Sequence, residues 1–250
     1  MAILWQKNHN GSLYQVRTAG NSRRLYKDGV LHSAYNPSHA VTANAWDLLM
    51  LPAFFYPDDK IQNILLLGVG GGSVIHLLNR YVKPRKITGI EFDQTQLAIG
   101  KRFFGLNQPN VDLIHADAIT WLETYQGPAC DMINDDLFVE NLGEPVASSK
   151  ADSKWFTLLL KKLKTDGVIV KNFIEKNSLV QSAPVTNKSL GNRFKSKFIF
   201  SHPYNENVIG AFLKISADSN YLRKRLVANQ DLNPLKKTSR LRYRLRKLNT

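Results

Sequence analysis

A glycine-rich turn between an apolar segment and a helical pattern constrains this chain more than any other feature. Residues 64–67 form a short apolar run typical of a buried parallel strand, and residues 74–81 place their apolar side chains at helical spacing. Glycines between a strand and a helix let a ligand approach the main chain closely, and the helix N-terminus offers N–H groups. We therefore predict that the turn binds a cofactor through Gly68, Gly70, Gly71 and Gly72.

Strands and helices alternate after this turn, which favours an α/β fold with a mainly parallel sheet and helices on both faces. The pattern predicts a doubly wound, Rossmann-like sheet of seven strands. The last two should be antiparallel neighbours, because the link between them is too short for a helical crossover. The predicted strands are 64–67, 87–90, 111–114, 130–133, 167–170, 198–200 and 208–213, and the predicted helices are 74–81, 94–103, 119–125 and 153–163.

The chain before residue 50 has a different pattern. Its composition favours short strands, and Asp28-Gly29 between apolar residues is a hairpin turn signal, so we predict a small N-terminal β-hairpin sheet. Pro37 and Ser38 then predict a helix that begins near Ser38 and runs to Leu49. We divide the chain into an N-terminal region of residues 1–50, a cofactor-binding domain of residues 51–216 and a C-terminal tail of residues 217–250.

Acidic residues follow the next two predicted strands. Glu91 ends the second strand, 23 residues after Gly68, where a carboxylate can accept hydrogen bonds from the hydroxyls of a ribose. Asp117, with the adjacent Ala118, follows the third strand, where its oxygen could accept from an adenine amino group. The alternative is that Glu91 is an exposed acid and Asp117 a helix cap.

Two carboxylates, Asp135 and Asp136, follow the fourth strand. Ligands of such sheets bind where the strand order reverses, here between the first and fourth strands. A carboxylate at this place can attract a cationic substrate or take a proton from an attacking amine, so both acids are candidate catalytic residues. A solvated acidic loop is the alternative.

The order of these motifs resembles that of the spermidine synthase family, a branch of the class I S-adenosylmethionine-dependent methyltransferase fold. The resemblance covers roughly residues 25–215 and implies transfer of an aminopropyl group from decarboxylated S-adenosylmethionine to a polyamine amine, without a metal ion. By this resemblance Gly68, Gly70 and Gly72 hold the cofactor, Glu91 binds ribose and Asp117 binds adenine. Asp136 matches the catalytic aspartate of the family.

Three differences from the family's pattern leave other functions open. Gly71 stands where polyamine synthases carry an aspartate, residues 38–44 lack the family's tyrosine and acid, and the second acid of the fourth-strand motif is at best displaced to Glu140. The first alternative is a methyltransferase that uses ordinary S-adenosylmethionine on a small molecule or RNA. The second is a nucleic-acid-binding protein on a catalytically degenerate fold.

Charge is concentrated in the tail. The formal net charge is +14, and much of it comes from residues 222–250, which contain ten Lys or Arg and a single acid, Asp231. Leucines at helical spacing predict a basic amphipathic helix over residues 236–248, which could bind RNA, an acidic membrane surface or a partner subunit. The alternative is a solvated helix that packs by its leucines on the same chain or on the second copy in a homodimer. The lone Cys130 excludes an intrachain disulfide, no apolar run is long enough to span a bilayer, and the start lacks signal-peptide features, so we expect a cytoplasmic protein without a membrane span.

Overall fold

The computed structural model describes residues 1–141 and 144–248, and within them the side chains outside positions 140–145. The N-terminal region is an antiparallel sheet of four consecutive strands: β1 (Ala2–His9), β2 (Ser12–Ala19), β3 (Ser22–Lys27) and β4 (Val30–Tyr35). Asp28 and Gly29 both have positive φ angles, 48° and 85°. Such angles are typical of the tight turns whose twist matches a two-residue hairpin, so the predicted hairpin is confirmed.

The connection to the second domain differs from the prediction. Helix α1 spans Ala45–Met50 and is followed by a 3-10 helix, Leu51–Phe55, so the helix does not begin near Ser38. Ala43 has a positive φ angle of 57°, which a continuous helix cannot include. Asn44 and Asp47 then form a reciprocal capping box that satisfies main-chain N–H groups at the start of α1.

The remaining strands build the main sheet and one short hairpin. The main sheet has eight strands in the described part of the chain, and its fold class is α/β, as predicted. In chain order the strands are β5 (Asn63–Leu67), β6 (Lys86–Glu91), β7 (Val111–His115), β8 (Cys130–Asp135), the hairpin β9 (Phe138–Asn141) and β10 (Glu144–Ala147), β11 (Leu163–Phe173), β12 (Ser196–Ser201), β13 (Val208–Leu213) and β14 (Arg244–Lys247).

The strand order in the main sheet is β14, β12, β13, β11, β8, β5, β6, β7. Strands β11, β8, β5, β6 and β7 are parallel, and β13 is antiparallel to both β11 and β12. Strand β5 therefore lies between β6 and β8, which places the reversal of strand order at the predicted position. The seven predicted strands are all present, and the eighth comes from the tail.

Helices cover both faces of this sheet, and apolar side chains alternate between two cores. Leu66 and Val170 belong to one buried cluster, whereas Leu65 and Ile169 belong to the other. The helices are α2 (Ser73–Tyr81), α3 (Gln94–Phe103), α4 (Ala118–Thr124), α5 (Ser153–Lys161), α6 (Lys176–Val180), α7 (Ala183–Thr186), α8 (Lys188–Gly191) and α9 (Ser219–Ala228). None of the helices in the described ranges is long and apolar enough to cross a membrane.

The predicted amphipathic helix over residues 236–248 is wrong. This segment contains strand β14, which pairs antiparallel with β12, and no helix is assigned there. Leu241, Tyr243 and Leu245 alternate with arginines and are buried or half-buried. This alternation is typical of a strand with one buried face, and it describes the segment better than the helical spacing of its leucines does. Strand β12 offers an edge whose main-chain groups pair with β14, and a sequence pattern alone does not show that edge.

Candidate functional site

A cleft of about 1100 Å³ lies between the N-terminal sheet and the carboxyl ends of the parallel strands. Its floor comes from the loops that follow β5, β6, β7 and β8, and its other wall comes from β2, β3, β4 and the start of α1. This is the position at which α/β sheets bind ligands. The predicted site residues that line it are Gly68, Gly70, Glu91, Asp117, Ala118 and Asp136.

The glycine turn is packed so tightly that side chains are excluded. Gly68, Gly70 and Gly72 have positive φ angles of 84°, 55° and 88°. A Cβ atom at Gly68 would lie 2.3 Å from the main-chain oxygen of Asp136, so the turn after β5 contacts the turn after β8 directly. Glycine at this position therefore brings the cofactor loop and the candidate catalytic loop together.

Three main-chain N–H groups of the turn are already bonded within the protein. The N–H groups of Val69 and Gly70 donate to Glu91 Oε2 at 2.9 and 2.8 Å, and that of Gly71 donates to Ser33 Oγ at 2.7 Å. These three N–H groups are therefore not available as donors to a ligand. The turn instead provides main chain that a ligand can approach closely, and it holds the Glu91 carboxylate in place.

Gly71 and Gly72, which we predicted as cofactor-binding residues, are not among the residues that line the cleft. A Cβ atom at Gly71 would meet Ser33 Cβ at 2.8 Å, and one at Gly72 would meet Leu106 at 2.4 Å. Both glycines therefore serve packing, Gly71 against β4 and Gly72 against the segment after α3. Gly72 is also the residue that precedes α2.

Glu91 is oriented by the main chain around it. In addition to the two bonds from the turn, its Oε1 accepts from the N–H group of Asp93 at 2.9 Å. A carboxylate has about four acceptor positions. One acceptor position, on Oε1, is then left for a hydroxyl group of a ligand. The sequence prediction had Glu91 accept from both hydroxyls of a ribose.

Asp117 lines the cleft at its other end and caps a helix as well. Its Oδ1 accepts from the N–H group of Thr120 at 2.8 Å at the start of α4. Its side chain is exposed, and the neighbouring Ala118 is buried in the cleft wall. The capping role and a role toward a ligand are compatible, because Oδ2 remains available as an acceptor.

The structure separates the two acids that follow the fourth strand. Asp135 is fully buried on the side of β8 that faces α5 and does not line the cleft. Its carboxylate pairs with Lys171 Nζ at 2.8 Å and accepts from Trp155 Nε1 at 2.7 Å and from Ser149. The oxygens of Asp135, which we predicted as a second catalytic acid, are therefore engaged away from the cleft.

Asp136 is half-buried in the cleft and accepts a hydrogen bond from Asn172 Nδ2 at 2.8 Å. Asn172 is oriented in turn by Asn207, whose Nδ2 donates to Asn172 Oδ1 at 3.1 Å. Burial raises the pKa of Asp136 to about 6, against the opposing hydrogen bond from Asn172, and the negative charges of Asp135 and Glu91 add to the rise. A carboxylate with this pKa is ionised at neutral pH yet basic enough to accept a proton.

Sequence reasoning missed the contribution of the N-terminal sheet. Tyr14 and Lys27 line the cleft, and both donate to Asp93 Oδ2, at 2.7 and 3.0 Å. Burial would raise the pKa of Asp93, but the hydrogen bonds from Tyr14, Lys27 and the main chain of Gln96, together with the charge of Lys27, hold it below its usual range. Burial and the Asp93 carboxylate raise the pKa of Tyr14 to about 12. No local signal connects residues that are 79 positions apart, as Tyr14 and Asp93 are.

Two further points concern metal binding and the possible second acid. Among the described residues, no group of three or more His, Cys, Asp or Glu is arranged to hold a metal ion. The sequence prediction also named Glu140 as a possible second acid, and its side chain lies outside the described part of the structure.

The model of the spermine/spermidine synthase domain matches residues 46–222, which is most of the chain and includes every cleft loop described above. The chain belongs to the spermine/spermidine synthase family. The resemblance found in the sequence motifs is therefore confirmed, and the matched range begins at the cleft-lining residue Trp46.

Individual relatives are distant. The polyamine aminopropyltransferase of Neisseria meningitidis is 23% identical over 162 residues, which are 63% of this chain and 60% of that protein. The chain thus matches less than two thirds of the length of this curated relative. A probable spermidine synthase from Corynebacterium glutamicum has a similar structure, with a TM-score of 0.73, 14% identity and coverage of 99% of this chain and 91% of the other.

A methyltransferase also shares the fold. The structure of human methyltransferase-like protein 13 in complex with SAH superposes with a TM-score of 0.56 at 17% identity, covering 74% of this chain and 86% of that one. At such low identities the two structural likenesses establish the class I methyltransferase fold and no more.

Proposed function

We propose that this protein is a transferase that moves an aminopropyl group from decarboxylated S-adenosylmethionine to an amine, with Asp136 as general base. One observation supports this proposal more than any other: Asp136 lines the same cleft as the glycine turn and Glu91, and its pKa is raised to about 6. Membership of the spermine/spermidine synthase family is consistent with it.

Several residues of this chain fit the nucleoside part of such a donor. Gly68 and Gly70 let it approach the main chain, and Glu91 Oε1 has an acceptor position for a ribose hydroxyl. Asp117, at the far end of the cleft, has a free oxygen for the amino group of adenine. In the sheet the strands follow one another as β8, β5, β6 and β7, so the reacting end of the donor would lie over β8 and its adenine over β7.

The reaction requires one proton to leave the acceptor. The donor supplies a sulfonium, whose neighbouring carbon is transferred as the C–S bond breaks and its electron pair stays on sulfur. Asp136 takes a proton from the acceptor ammonium, which frees the nitrogen lone pair that forms the new N–C bond. The positive charge ends on the product amine, and Asp136 returns its proton to water. Asn172 holds the carboxylate toward the cleft throughout.

Methyl transfer from ordinary S-adenosylmethionine, to a small molecule or RNA, is the second candidate function. The observation that favours it is the packing of Gly71 against Ser33, which leaves no room for a side chain in the turn. By the family resemblance, an aspartate there would pair with the free amine of the decarboxylated donor. Without that acid, the zwitterionic end of S-adenosylmethionine is an equally suitable ligand by charge.

Calorimetry with S-adenosylmethionine, its decarboxylated form and methylthioadenosine separates these candidates. Tighter binding of the decarboxylated form supports aminopropyl transfer, and tighter binding of S-adenosylmethionine supports methyl transfer. Mass spectrometry of the product then identifies the transferred group. Failure to bind any of the three nucleosides would overturn both candidates.

Replacing Asp136 by Asn tests the assigned base. We expect turnover to fall by about 10²–10⁴-fold while the affinity for methylthioadenosine changes little, because the amide cannot accept the proton. Asp112→Asn is the matched control, since Asp112 is an exposed acid on β7 that does not line the cleft. Unchanged turnover in Asp136→Asn would remove Asp136 from the mechanism.

A further inference from the structure

A concave surface separate from the cleft lies between the link that joins β12 to β13 and the basic tail. It has a volume of about 440 Å³, and none of the residues that line it also lines the cleft. Four of the lining residues are cations, namely Lys236, Lys237, Arg242 and Arg244, and no acid is among the described residues that line it. We call this surface the basic concavity.

The cations of the basic concavity lack acidic partners. All four side chains are exposed, and none forms an ion pair with another described residue. Other cations of the protein do have such partners, as Lys27 has in Asp93 and Arg225 has in Asp58. Cations that are brought together without acids repel one another, so a bound anion would lower the free energy of this surface.

Two titratable side chains at the basic concavity are affected by positive charge. Burial lowers the pKa of His202, which precedes the lining residue Pro203, and the charge of Arg242 lowers it further. Burial raises the pKa of Tyr243, another lining residue, and the charge of Arg223 opposes that rise. In neither case does a described carboxylate contribute, so positive charge dominates the surroundings of the concavity.

The main chain holds one of these cations in place. Arg242 Nη1 donates to the carbonyl oxygens of Ser239 and Leu241, at 2.8 and 3.0 Å. An arginine has five N–H donors, so at least three remain for a ligand. A guanidinium fixed in this way can bind a phosphate group through two parallel hydrogen bonds.

The shape of the basic concavity and a neighbouring aromatic ring favour a strand of nucleic acid over a membrane. A phosphodiester chain can follow a concave surface, whereas a bilayer presents its phosphates in a plane. Tyr204 follows the lining residue Pro203 and is 85% exposed. An exposed aromatic ring beside a basic surface is the arrangement on which single-stranded nucleic acids stack their bases.

We propose that the basic concavity binds single-stranded nucleic acid, with phosphates at the four cations and a base stacked on Tyr204. This inference goes beyond the proposed function and does not depend on it, because the concavity and the cleft share no lining residue. It also gives the tail a nucleic-acid surface without the predicted helix. Turns at residues 233–239 bring Lys236 and Lys237 to the same concavity as Arg242 and Arg244.

The test measures the fluorescence anisotropy of labelled oligouridylate and oligothymidylate of about 12 nucleotides, with the full chain, at several salt concentrations. We expect the parent protein to bind both strands in a salt-dependent way. Lys236→Gln with Lys237→Gln should weaken binding about tenfold at low salt and reduce the slope of log affinity against log salt concentration by roughly 0.7–1 for each lysine. Absence of binding by the parent at low salt overturns the inference, and so does an unchanged affinity of the double variant.

Lysines on the other side of the main sheet provide the matched control. Lys154 and Lys161 are exposed on α5, which packs against one buried cluster, whereas Leu241 of the tail belongs to the other. Lys154→Gln with Lys161→Gln removes the same charge and should leave the affinity within about twofold of the parent. If both double variants weaken binding equally, net charge alone attracts the nucleic acid and the concavity is not its site. Urea unfolding of both variants should match that of the parent, because the substituted side chains are exposed.

Tyr204→Ala separates a nucleic acid from other polyanions. Loss of one stacked base should weaken the binding of both oligonucleotides by about fivefold or more and leave the salt slope unchanged. Binding of inorganic polyphosphate, which has no bases, should not respond to this change. Equal oligonucleotide affinity of Tyr204→Ala and the parent, or tighter binding of phosphatidylserine vesicles than of either oligonucleotide, overturns the inference. Neither outcome bears on the transfer reaction, which calorimetry with the nucleosides tests separately.

Discussion

Asp136 is a functional residue that works against the stability of the fold. Its pKa is raised from 3.8 to about 6 in the folded chain, so the folded state binds the proton more tightly than the unfolded state. The sign follows from proton linkage: stability falls as the pH rises from about 4 to about 6, and the deficit persists above that range. At neutral pH the ionised carboxylate is therefore destabilising.

Asp136→Asn should consequently stabilise the protein although it lowers turnover. A pKa difference of one unit corresponds to about 1.4 kcal/mol, so a shift of about two units predicts that the free energy of unfolding at pH 7 rises by roughly 3 kcal/mol. Urea unfolding measures this change, and at pH 4 the difference between variant and parent should be much smaller. The exposed control Asp112→Asn should change stability by less than about 0.5 kcal/mol. Destabilisation by Asp136→Asn at pH 7 would contradict the argument.

The same pKa predicts the pH dependence of the reaction. If Asp136 must be ionised to accept a proton, kcat/KM should fall on the acid side with a midpoint near pH 6. Asn172→Ala removes the hydrogen bond that favours the ionised form, so it should move this midpoint to higher pH. A pH profile of both proteins measures the shift. A midpoint that stays in place or moves to lower pH would exclude Asn172 as the residue that tunes Asp136.

Strands β8 and β11 are joined by a charged pair in their hydrogen-bonding register. Lys171 lies opposite Asp135, and both side chains are almost completely buried. Lys171→Met should reduce the free energy of unfolding by about 3–5 kcal/mol, because it leaves a buried carboxylate without its cation. The double variant Lys171→Met with Asp135→Asn removes both charges and should recover much of that loss.

Urea unfolding of the single and double variants gives the coupling free energy between the two residues. We expect it to exceed about 1 kcal/mol, as for residues in one buried network. If the changes in unfolding free energy of the single variants simply add in the double variant, Lys171 and Asp135 do not stabilise each other. Because Asp135 is next to Asp136 in the chain, this pair also positions the base, so Lys171→Met should lower kcat more than it changes methylthioadenosine affinity.

At the scale of the whole molecule, the basic tail is part of the fold. Leu241 is 1% exposed, β14 pairs with β12, and the ring of Tyr243 lies 6.4 Å from that of Phe200. Deleting residues 236–250 should therefore destabilise the protein by at least 2–5 kcal/mol, roughly the cost of truncating one buried leucine. Thermal or urea unfolding tests this expectation, and unchanged stability would show that the tail does not pack.

Binding of RNA by the tail stays a prediction, and its test must leave β14 intact. Arg244 and Arg246 are exposed, so the double substitution Arg244→Gln with Arg246→Gln removes charge without removing a packed side chain. If the tail contacts phosphates, the slope of log affinity against log salt concentration should decrease by about 1 for each arginine. Absence of salt-dependent binding by the parent at low salt would exclude the nucleic-acid function, while the enzyme proposals would stand.

Local patterns determined much of this protein. The order of strands and helices from β5 to β13, the glycine turn and the positions of Glu91, Asp117 and Asp136 at strand ends all follow from periodicity and turn chemistry within short segments. These features are readable because each depends on neighbours only a few residues away. The start of the helix at Ala45 differs from the prediction, because the positive φ angle of Ala43 and the capping box of Asn44 and Asp47 are set by the conformation of a single turn and not by the spacing of apolar residues.

Only the tertiary structure decided which of these residues share a site. Asp135 and Asp136 are adjacent in the sequence, but a one-residue step along a strand reverses the side-chain direction, so the first pairs with Lys171 and the second faces the cleft. Tyr14, Lys27 and Ser33 reach the cleft through contacts between segments far apart in the chain. Strand β14 likewise formed because β12 offers an edge, and pairing across such a distance depends on the assembled sheet rather than on any local pattern.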